Sequence, residues 1–148
     1  MNIYTIGFTK KSAKEFFDDA LHDNHIEIVV DTRINTASQL AGFAKGDDLK
    51  YFLQKLHGIK YDYRSDLAPT KELLKNYRDK KIPWEEYTVF YNNLLDERQT
   101  YQNFLTDYKD YKNVCVLCSE ATPEKCHRRL LAEKIHSLYP NETRIIHL

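Results

Sequence analysis

The sequence predicts an α/β fold in which a single domain, residues 1–148, holds a mostly parallel five-stranded sheet with helices on both faces. Short apolar segments rich in branched residues alternate with segments whose apolar residues recur at helical spacing. Residues 26–32 carry consecutive branched residues rather than a regular polar alternation, as expected of a strand covered on both faces. Hydrophobic residues make up 42% and charged residues 30% of the chain, a composition typical of one ordered globular domain.

Two strands and one helix are predicted at the start of the chain. Residues 2–8 (NIYTIGF) are mostly apolar up to a glycine and predict a buried first strand. Ser12 followed by Glu15 is the pattern of a capping box, so a helix is expected to begin there and to end near residues 23–24. Residues 26–32 (IEIVVDT) then predict a central parallel strand.

A long loop separates this second strand from the next helix. Residues 35–46 lack clear periodicity, and loops at the carboxyl end of a strand often carry function. A helix capped by Asp47 or Asp48 is predicted to follow and to stop at Gly58, because Gly is the usual residue after a helix end. Residues 59–63 predict a third strand.

The second half of the chain begins with a helical insertion before the fourth strand. Residues 71–111 carry at least two segments with helical spacing, and Trp84 is expected either to anchor this insertion or to line the mouth of a cleft. Residues 114–117 predict the fourth strand and residues 144–147 the closing one. Between them, Thr122-Pro123 is predicted to start a helix, since Pro is favoured at the first helical position.

Charge, hydropathy and cysteine count exclude several classes of protein. Lys plus Arg and Asp plus Glu each total 22, so no net charge draws the chain toward nucleic acid or anionic membranes. The sequence has neither a signal-peptide pattern nor an apolar run of about 18 residues, so we expect a cytoplasmic protein without a membrane partner. The 3 Cys are interpreted as thiols, because an odd number does not make a disulfide framework.

Chemically capable residues follow three of the predicted strands. Ligands of open parallel sheets bind beyond the carboxyl ends of the strands, where the strand order reverses. Thr9 follows the first strand and can offer its hydroxyl to an anion. Asp31 and Arg33 either form an internal ion pair or supply a carboxylate for acid–base chemistry and a guanidinium for an anion. Cys118 and Glu120 follow the fourth strand, so the three ends are expected to form one cleft.

The segment from residue 118 to residue 128 is dense in reactive side chains, and three interpretations stay open. Cys118, Cys126 and His127 can ligate zinc, with Glu120 or water as a fourth ligand, although the spacing is not the usual CxxC pair. Alternatively, Cys118 is a nucleophile activated by His127 or Arg128. In the third interpretation Arg128 and the helix start hold an anion, while the cysteines only pack.

Four segments of the chain together carry a family resemblance. They are TIGFT at residues 5–9, VVDTR at 29–33, LCSE at 117–120 and CHRRLLAEKI at 126–135. With these segments the chain resembles the bacterial and archaeal family called domain of unknown function 488, over nearly its whole length. The resemblance implies a single α/β domain but no settled activity. Members place Pro and Ser soon after the Arg of the second segment; here Pro is missing, and Ser38 is counted among the ligand-binding candidates.

The cleft residues predict a small phosphorylated or nucleotide-like ligand and hydrolytic or transfer chemistry on it. The predicted ligand-binding residues are Thr9, Arg33, Ser38, Cys126 and Arg128. The predicted catalytic residues are Asp31, Cys118, Glu120 and His127. Arg33 and Arg128 are expected to hold the anion. Asp31 or Glu120 is expected to act as general base, and His127 as acid or orienting group.

Two other classes of function remain as alternatives. A nucleic-acid-binding module would use the Tyr-rich middle of the chain and the basic residues Lys71, Lys75, Arg78, Lys80 and Lys81. The zero net charge counts against it. A structural or redox metal site at the Cys and His residues is the other alternative. Neither a cofactor nor an oligomeric state follows from the sequence.

Overall fold

Five parallel strands form one sheet in the computed structural model, which describes residues 1–37 and 41–148. The strands are β1 (Asn2–Gly7), β2 (Ile28–Asp31), β3 (Lys60–Tyr63), β4 (Asn113–Cys118) and β5 (Arg144–His147). Their order across the sheet is β3-β2-β4-β1-β5, and every neighbouring pair is parallel. The predicted α/β fold is therefore confirmed, including the five-stranded parallel sheet.

Helices cover both faces of this sheet, as predicted. They are a π-helix (Glu15–His22), α1 (Gly46–His57), α2 (Lys71–Arg78), α3 (Trp84–Arg98), α4 (Phe104–Asp107) and α5 (His127–Leu138). Single turns of 3-10 helix lie at Gly42–Ala44, Ser65–Leu67 and Thr100–Asn103. The π-helix and α1 pack on one face of the sheet, whereas α3 and α5 pack on the other. The predicted helical insertion before β4 consists of α2, α3 and α4.

The first helix starts with the predicted capping box but is a π-helix. The backbone N–H of Ser12 donates to the Glu15 carboxylate at 2.7 Å, and the backbone N–H of Glu15 donates to the Ser12 hydroxyl at 3.1 Å. The apolar pair Phe16 and Phe17 is followed four residues later by a second apolar pair, Ala20 and Leu21, and all four side chains are buried. Because this spacing buries one face of either type of helix, the pattern could not distinguish them.

The ends of α1 show one agreement and one difference. Gly58 follows the helix in the left-handed conformation with φ 68°, as the predicted stop requires. The helix begins at Gly46, so Asp47 and Asp48 lie in its first turn rather than at the capping position. Carboxylates there still stabilise the positive end of the helix dipole. Within the described ranges, no helix is long and apolar enough to span a membrane.

The predicted start of the last helix at Thr122-Pro123 is wrong. The helix α5 begins at His127, and Cys126 takes the position before it. Thr-Pro is also a turn sequence, and the Cys126 N–H closes a turn by donating to the Pro123 carbonyl at 3.2 Å. This later start places His127 and Arg128 in the first helical turn.

The connections of the sheet place a crevice at the carboxyl end of β4. The chain leaves β1 and β2 toward one face of the sheet and leaves β4 toward the other. The direction in which the chain leaves the sheet therefore reverses on both sides of the central strand β4. In open parallel sheets, ligands bind at such points of reversal. The register sets Gly7 beside Cys118 and Asp31 beside Leu117, so the three strand ends meet at one edge.

Candidate functional site

A cleft of about 670 Å³ opens at this edge of the sheet. Cys118, Cys126 and His127 form its floor, which lies between the end of β4 and the start of α5. The insertion helices α2 and α3 contribute a wall on the other side. A volume of this size is typical of pockets for small molecules.

The floor is a compact cluster of two thiols and one imidazole. The side-chain ligand atoms of Cys118, Cys126 and His127 all lie within 4.8 Å of one another, and all three residues are buried. The Sγ of Cys118 is 3.6 Å from the Nδ1 of His127. The cysteines form no disulfide. The later start of α5 produces this convergence, because it sets Cys126 and His127 against the tip of β4.

Thr32 orients the imidazole of His127. The Nε2 of His127 lies 3.0 Å from the backbone carbonyl oxygen of Thr32, which can only accept, so Nε2 carries the hydrogen. The Thr32 hydroxyl donates to the Leu117 carbonyl at 3.0 Å and lies 3.1 Å from the same Nε2. Nδ1 is therefore directed toward Cys118, and a neutral His127 presents its lone pair there.

The pKa values of the two thiols are shifted in opposite directions. A hydrogen bond from Cys126 and the neighbouring His127 hold the pKa of Cys118 well below its usual value, against the opposing effect of burial. The same hydrogen bond, together with burial, raises the pKa of Cys126. Burial opposes the protonation of His127, but the charge of Cys118 and its hydrogen bond raise the pKa of His127 overall. The cluster can therefore present a thiolate, either as a nucleophile or as a metal ligand.

Arg128 lies behind the floor rather than on the wall of the cleft. Its side chain is fully buried, with NH1 donating to the Glu120 carbonyl at 2.6 Å and to the Cys126 Sγ at 3.5 Å. Its Nε and NH2 have no hydrogen-bond partner among the described residues. The absence of a side chain at Gly7 leaves room for the guanidinium, because a Cβ at residue 7 would lie 2.9 Å from Arg128 NH1.

Asp31 and Arg33 form a buried ion pair. The Arg33 NH2 donates to the Asp31 carboxylate at 2.6 Å, and the Tyr61 hydroxyl donates to the same oxygen at 2.8 Å. Arg33 also donates from NH1 to the Ala44 carbonyl at 2.7 Å. Asp31 is fully buried, whereas Arg33 reaches the cleft lining. The pair thereby ties the 3-10 turn Gly42–Ala44 to the end of β2.

The remaining predicted site residues lie in different positions. Thr9 donates its hydroxyl and its backbone N–H to the Ser119 carbonyl, and so fixes the loop after β4. The Glu120 side chain is exposed at the rim of the cleft, 3.7 Å from the guanidinium of Arg78. Ser38 falls outside the described residues.

The wall and rim of the cleft include residues that the sequence did not single out as site residues. Tyr77, Trp84 and Tyr87 form an aromatic cluster, in which the rings of Trp84 and Tyr87 stack at 5.1 Å with an interplanar angle of 17°. Trp84 therefore both packs in the insertion and lines the cleft, in line with the two roles expected for it. The Tyr-rich middle of the chain was considered above only for the nucleic-acid-binding alternative, and its pattern did not predict that Tyr77 and Tyr87 would line the cleft.

Basic residues surround the aromatic wall. Three of them, Lys71, Lys75 and Arg78, come from the set assigned above to a nucleic-acid-binding surface, and they line the cleft. Lys75 pairs with Asp79. Lys71 and Lys125 also line the cleft and have no carboxylate partner in the part of the chain that the structure describes. The rim is therefore positively charged.

The fold and site define the chain as a parallel α/β protein with a buried Cys–His cluster at the switch point of its sheet. It matches the family described as domain of unknown function DUF488 over residues 12–135. Because the match covers most of the chain, the protein belongs to this family. The matched region includes the Cys–His segment, whereas the TIGFT segment at residues 5–9 lies before the matched region. Comparisons with curated proteins and with solved structures gave no match.

Proposed function

We propose that the protein binds a small phosphorylated, nucleotide-like molecule in the cleft and carries out hydrolysis or group transfer on it. One observation carries this proposal: an aromatic wall and a cationic rim face a floor of reactive side chains within a single cleft of about 670 Å³. Such a combination suits a ligand with an aromatic ring at one end and an anionic group at the other.

The ring of the ligand is assigned to the aromatic wall. Trp84 is partly exposed on the cleft and is backed by the buried ring of Tyr87. A base that stacks on such a surface gains about 1–3 kcal/mol, with little dependence on which base it is. The proposal therefore specifies the class of ligand but not the identity of its base.

The anionic group is assigned to the rim. Lys71 and Lys125 line the cleft without carboxylate partners among the described side chains, and the paired Arg78 lies close by. Arg33 and Arg128, which the sequence favoured for this role, are buried and hydrogen-bonded to the protein. In the proposal they shape the floor and the rim, while the exposed cations contact the phosphate.

The chemistry is assigned to the floor. Cys118 and His127 lie within 3.6 Å of each other on the cleft surface, so the reacting group of the ligand would lie over them. Asp31 is enclosed by Arg33 and Tyr61, and Glu120 lies on the rim beside Arg78. The proposal therefore gives the reactive role to Cys118 and His127, and a positioning role to Asp31.

The single Trp of the chain provides the binding assay. Quenching of Trp84 fluorescence would be measured with AMP, adenosine and ribose 5-phosphate. AMP is expected to bind at least tenfold more tightly than adenosine, because a charge-assisted contact to phosphate contributes about 1.5 kcal/mol or more. Lys71→Ala or Lys125→Ala should weaken AMP binding by about tenfold, whereas Lys50→Ala, on the distant α1, should leave it unchanged.

Two results would contradict the proposal. Equal affinity for AMP and adenosine would show that the protein makes no favourable contact with the phosphate. Equal effects of the three Lys substitutions would show that the phosphate does not bind at the rim of the cleft. Tight binding of a single-stranded oligonucleotide, weakening steeply with salt while AMP does not bind, would instead support the nucleic-acid-binding alternative.

A further inference from the structure

The donor atoms on the cleft floor are spaced like the ligands of a tetrahedral metal ion. With Zn–S near 2.3 Å and Zn–N near 2.0–2.1 Å, a sulfur and a nitrogen ligand lie about 3.6 Å apart and two sulfurs about 3.8 Å apart. The Cys118 Sγ is 3.6 Å from the His127 Nδ1, and the third donor, Cys126 Sγ, lies within 4.8 Å of both. The set needs only small side-chain adjustments to enclose an ion.

The second ring nitrogen of His127 is held in the way that metal-binding histidines require. Metal-binding imidazoles usually donate their other N–H to a carbonyl or carboxylate, which fixes the ring and the tautomer. Here Nε2 donates to the Thr32 carbonyl at 3.0 Å, so a neutral His127 directs the lone pair of Nδ1 toward Cys118. We propose that Cys118, Cys126 and His127 together bind a zinc ion.

The fourth position of this site opens to the cleft. No further His, Cys or carboxylate within residues 1–37 and 41–148 joins the three donors, and all three of them line the cleft. The Glu120 side chain, a candidate fourth ligand, is exposed on the rim instead. Three protein ligands with an open position are the arrangement of catalytic rather than structural zinc sites.

The buried charge of Arg128 fits an anionic fourth ligand. Two thiolates balance a divalent ion, which leaves the Arg128 guanidinium as one buried positive charge beside Cys126, 3.5 Å from its sulfur. A hydroxide or a phosphate oxygen on the ion would neutralise it. Zinc lowers the pKa of bound water to about 7, so it could supply a hydroxide for hydrolysis. This use of the fourth position rests on the proposed function, and it would pass the reactive role from Cys118 and His127 to a hydroxide on the ion. Binding of the ion does not rest on the proposed function.

Cobalt substitution tests the site directly. The full chain, reduced and freed of metal with a chelator, would be titrated with Co²⁺ and followed by absorption spectroscopy. We expect one equivalent to bind, with a thiolate-to-cobalt charge-transfer band and the intense visible bands of tetrahedral Co²⁺, and Zn²⁺ should displace it. Absence of binding, or a spectrum without thiolate bands, would overturn the proposal without requiring any variant.

Substitutions assign the ligands. Cys118→Ser and Cys126→Ser should each abolish the two-thiolate spectrum, whereas Cys115→Ala should keep it, because Cys115 is buried on the opposite face of the same strand. Thr32→Val should change zinc binding by less than about tenfold, because it removes only the hydroxyl and keeps the backbone carbonyl that accepts from His127 Nε2. An unchanged spectrum in Cys118→Ser would also overturn the site.

The two proposals fail separately. Binding of AMP to metal-free protein combined with no cobalt binding would refute the zinc site alone. Stoichiometric cobalt binding without any AMP binding would refute the proposed ligand class alone.

Discussion

Replacing Gly7 by Ala tests how closely the loop after β4 approaches β1. A Cβ at residue 7 would lie 1.6 Å from the Glu120 carbonyl oxygen and 2.7 Å from its carbonyl carbon. These are backbone atoms, so no side-chain rotation relieves the clash. The loop would have to move away, and the hydrogen bond from Arg128 to the Glu120 carbonyl would be lost with it.

The expected loss of stability combines these two effects. Overpacking in a tight site destabilises a protein by about 1–3 kcal/mol. The lost hydrogen bond of a charged, fully buried guanidinium adds about 1.5–3 kcal/mol. We therefore expect Gly7→Ala to lower the free energy of unfolding by about 2.5–6 kcal/mol, measured by urea denaturation with an unchanged dependence on denaturant.

Two other glycines provide matched controls. A Cβ at Gly42 would meet no atom of the described residues within 4 Å, so Gly42→Ala should change stability by less than about 0.5 kcal/mol. Gly58 also has open space around it, but its φ of 68° disfavours a side chain, and Gly58→Ala should destabilise by about 1–2 kcal/mol. A loss for Gly7→Ala no larger than that for Gly42→Ala would refute the close approach of the loop.

Two further predictions concern buried and exposed ion pairs. Asp31→Asn should destabilise the protein by about 3–5 kcal/mol in urea denaturation because it leaves the Arg33 charge buried without its partner. The exposed pair of Asp79 should contribute less than about 1 kcal/mol, and equal losses for Asp79→Asn and Asp31→Asn would contradict this reasoning. The hydrogen bond from Arg64 lowers the pKa of Asp66 in the folded state, so its stabilisation is present above the unfolded pKa of about 3.9 and is lost as the pH falls further. The stability difference between wild type and Asp66→Asn should be constant above about pH 5 and shrink in acid; a constant difference down to low pH would contradict it.

Local patterns in the sequence determined much of the fold. The closing strand was predicted at residues 144–147 and lies at Arg144–His147. The Ser12–Glu15 capping box and the stop at Gly58 also occur as expected. These features depend on residues a few positions apart, and such residues interact whatever the rest of the chain does. The reactive residues Cys118, Cys126 and His127 could be selected in the same way, because they are close in sequence.

Only the tertiary structure decided how these reactive residues are arranged. The partner that orients His127 is Thr32, 95 positions away, and the two meet because the sheet places β2 next to β4. The aromatic and basic side chains of the cleft likewise come from the insertion helices α2 and α3. Their periodicity predicted helices, but a helical pattern does not specify which sheet edge the helix will cover. Contacts between residues so far apart depend on strand order and packing, and no local signal in the sequence encodes them.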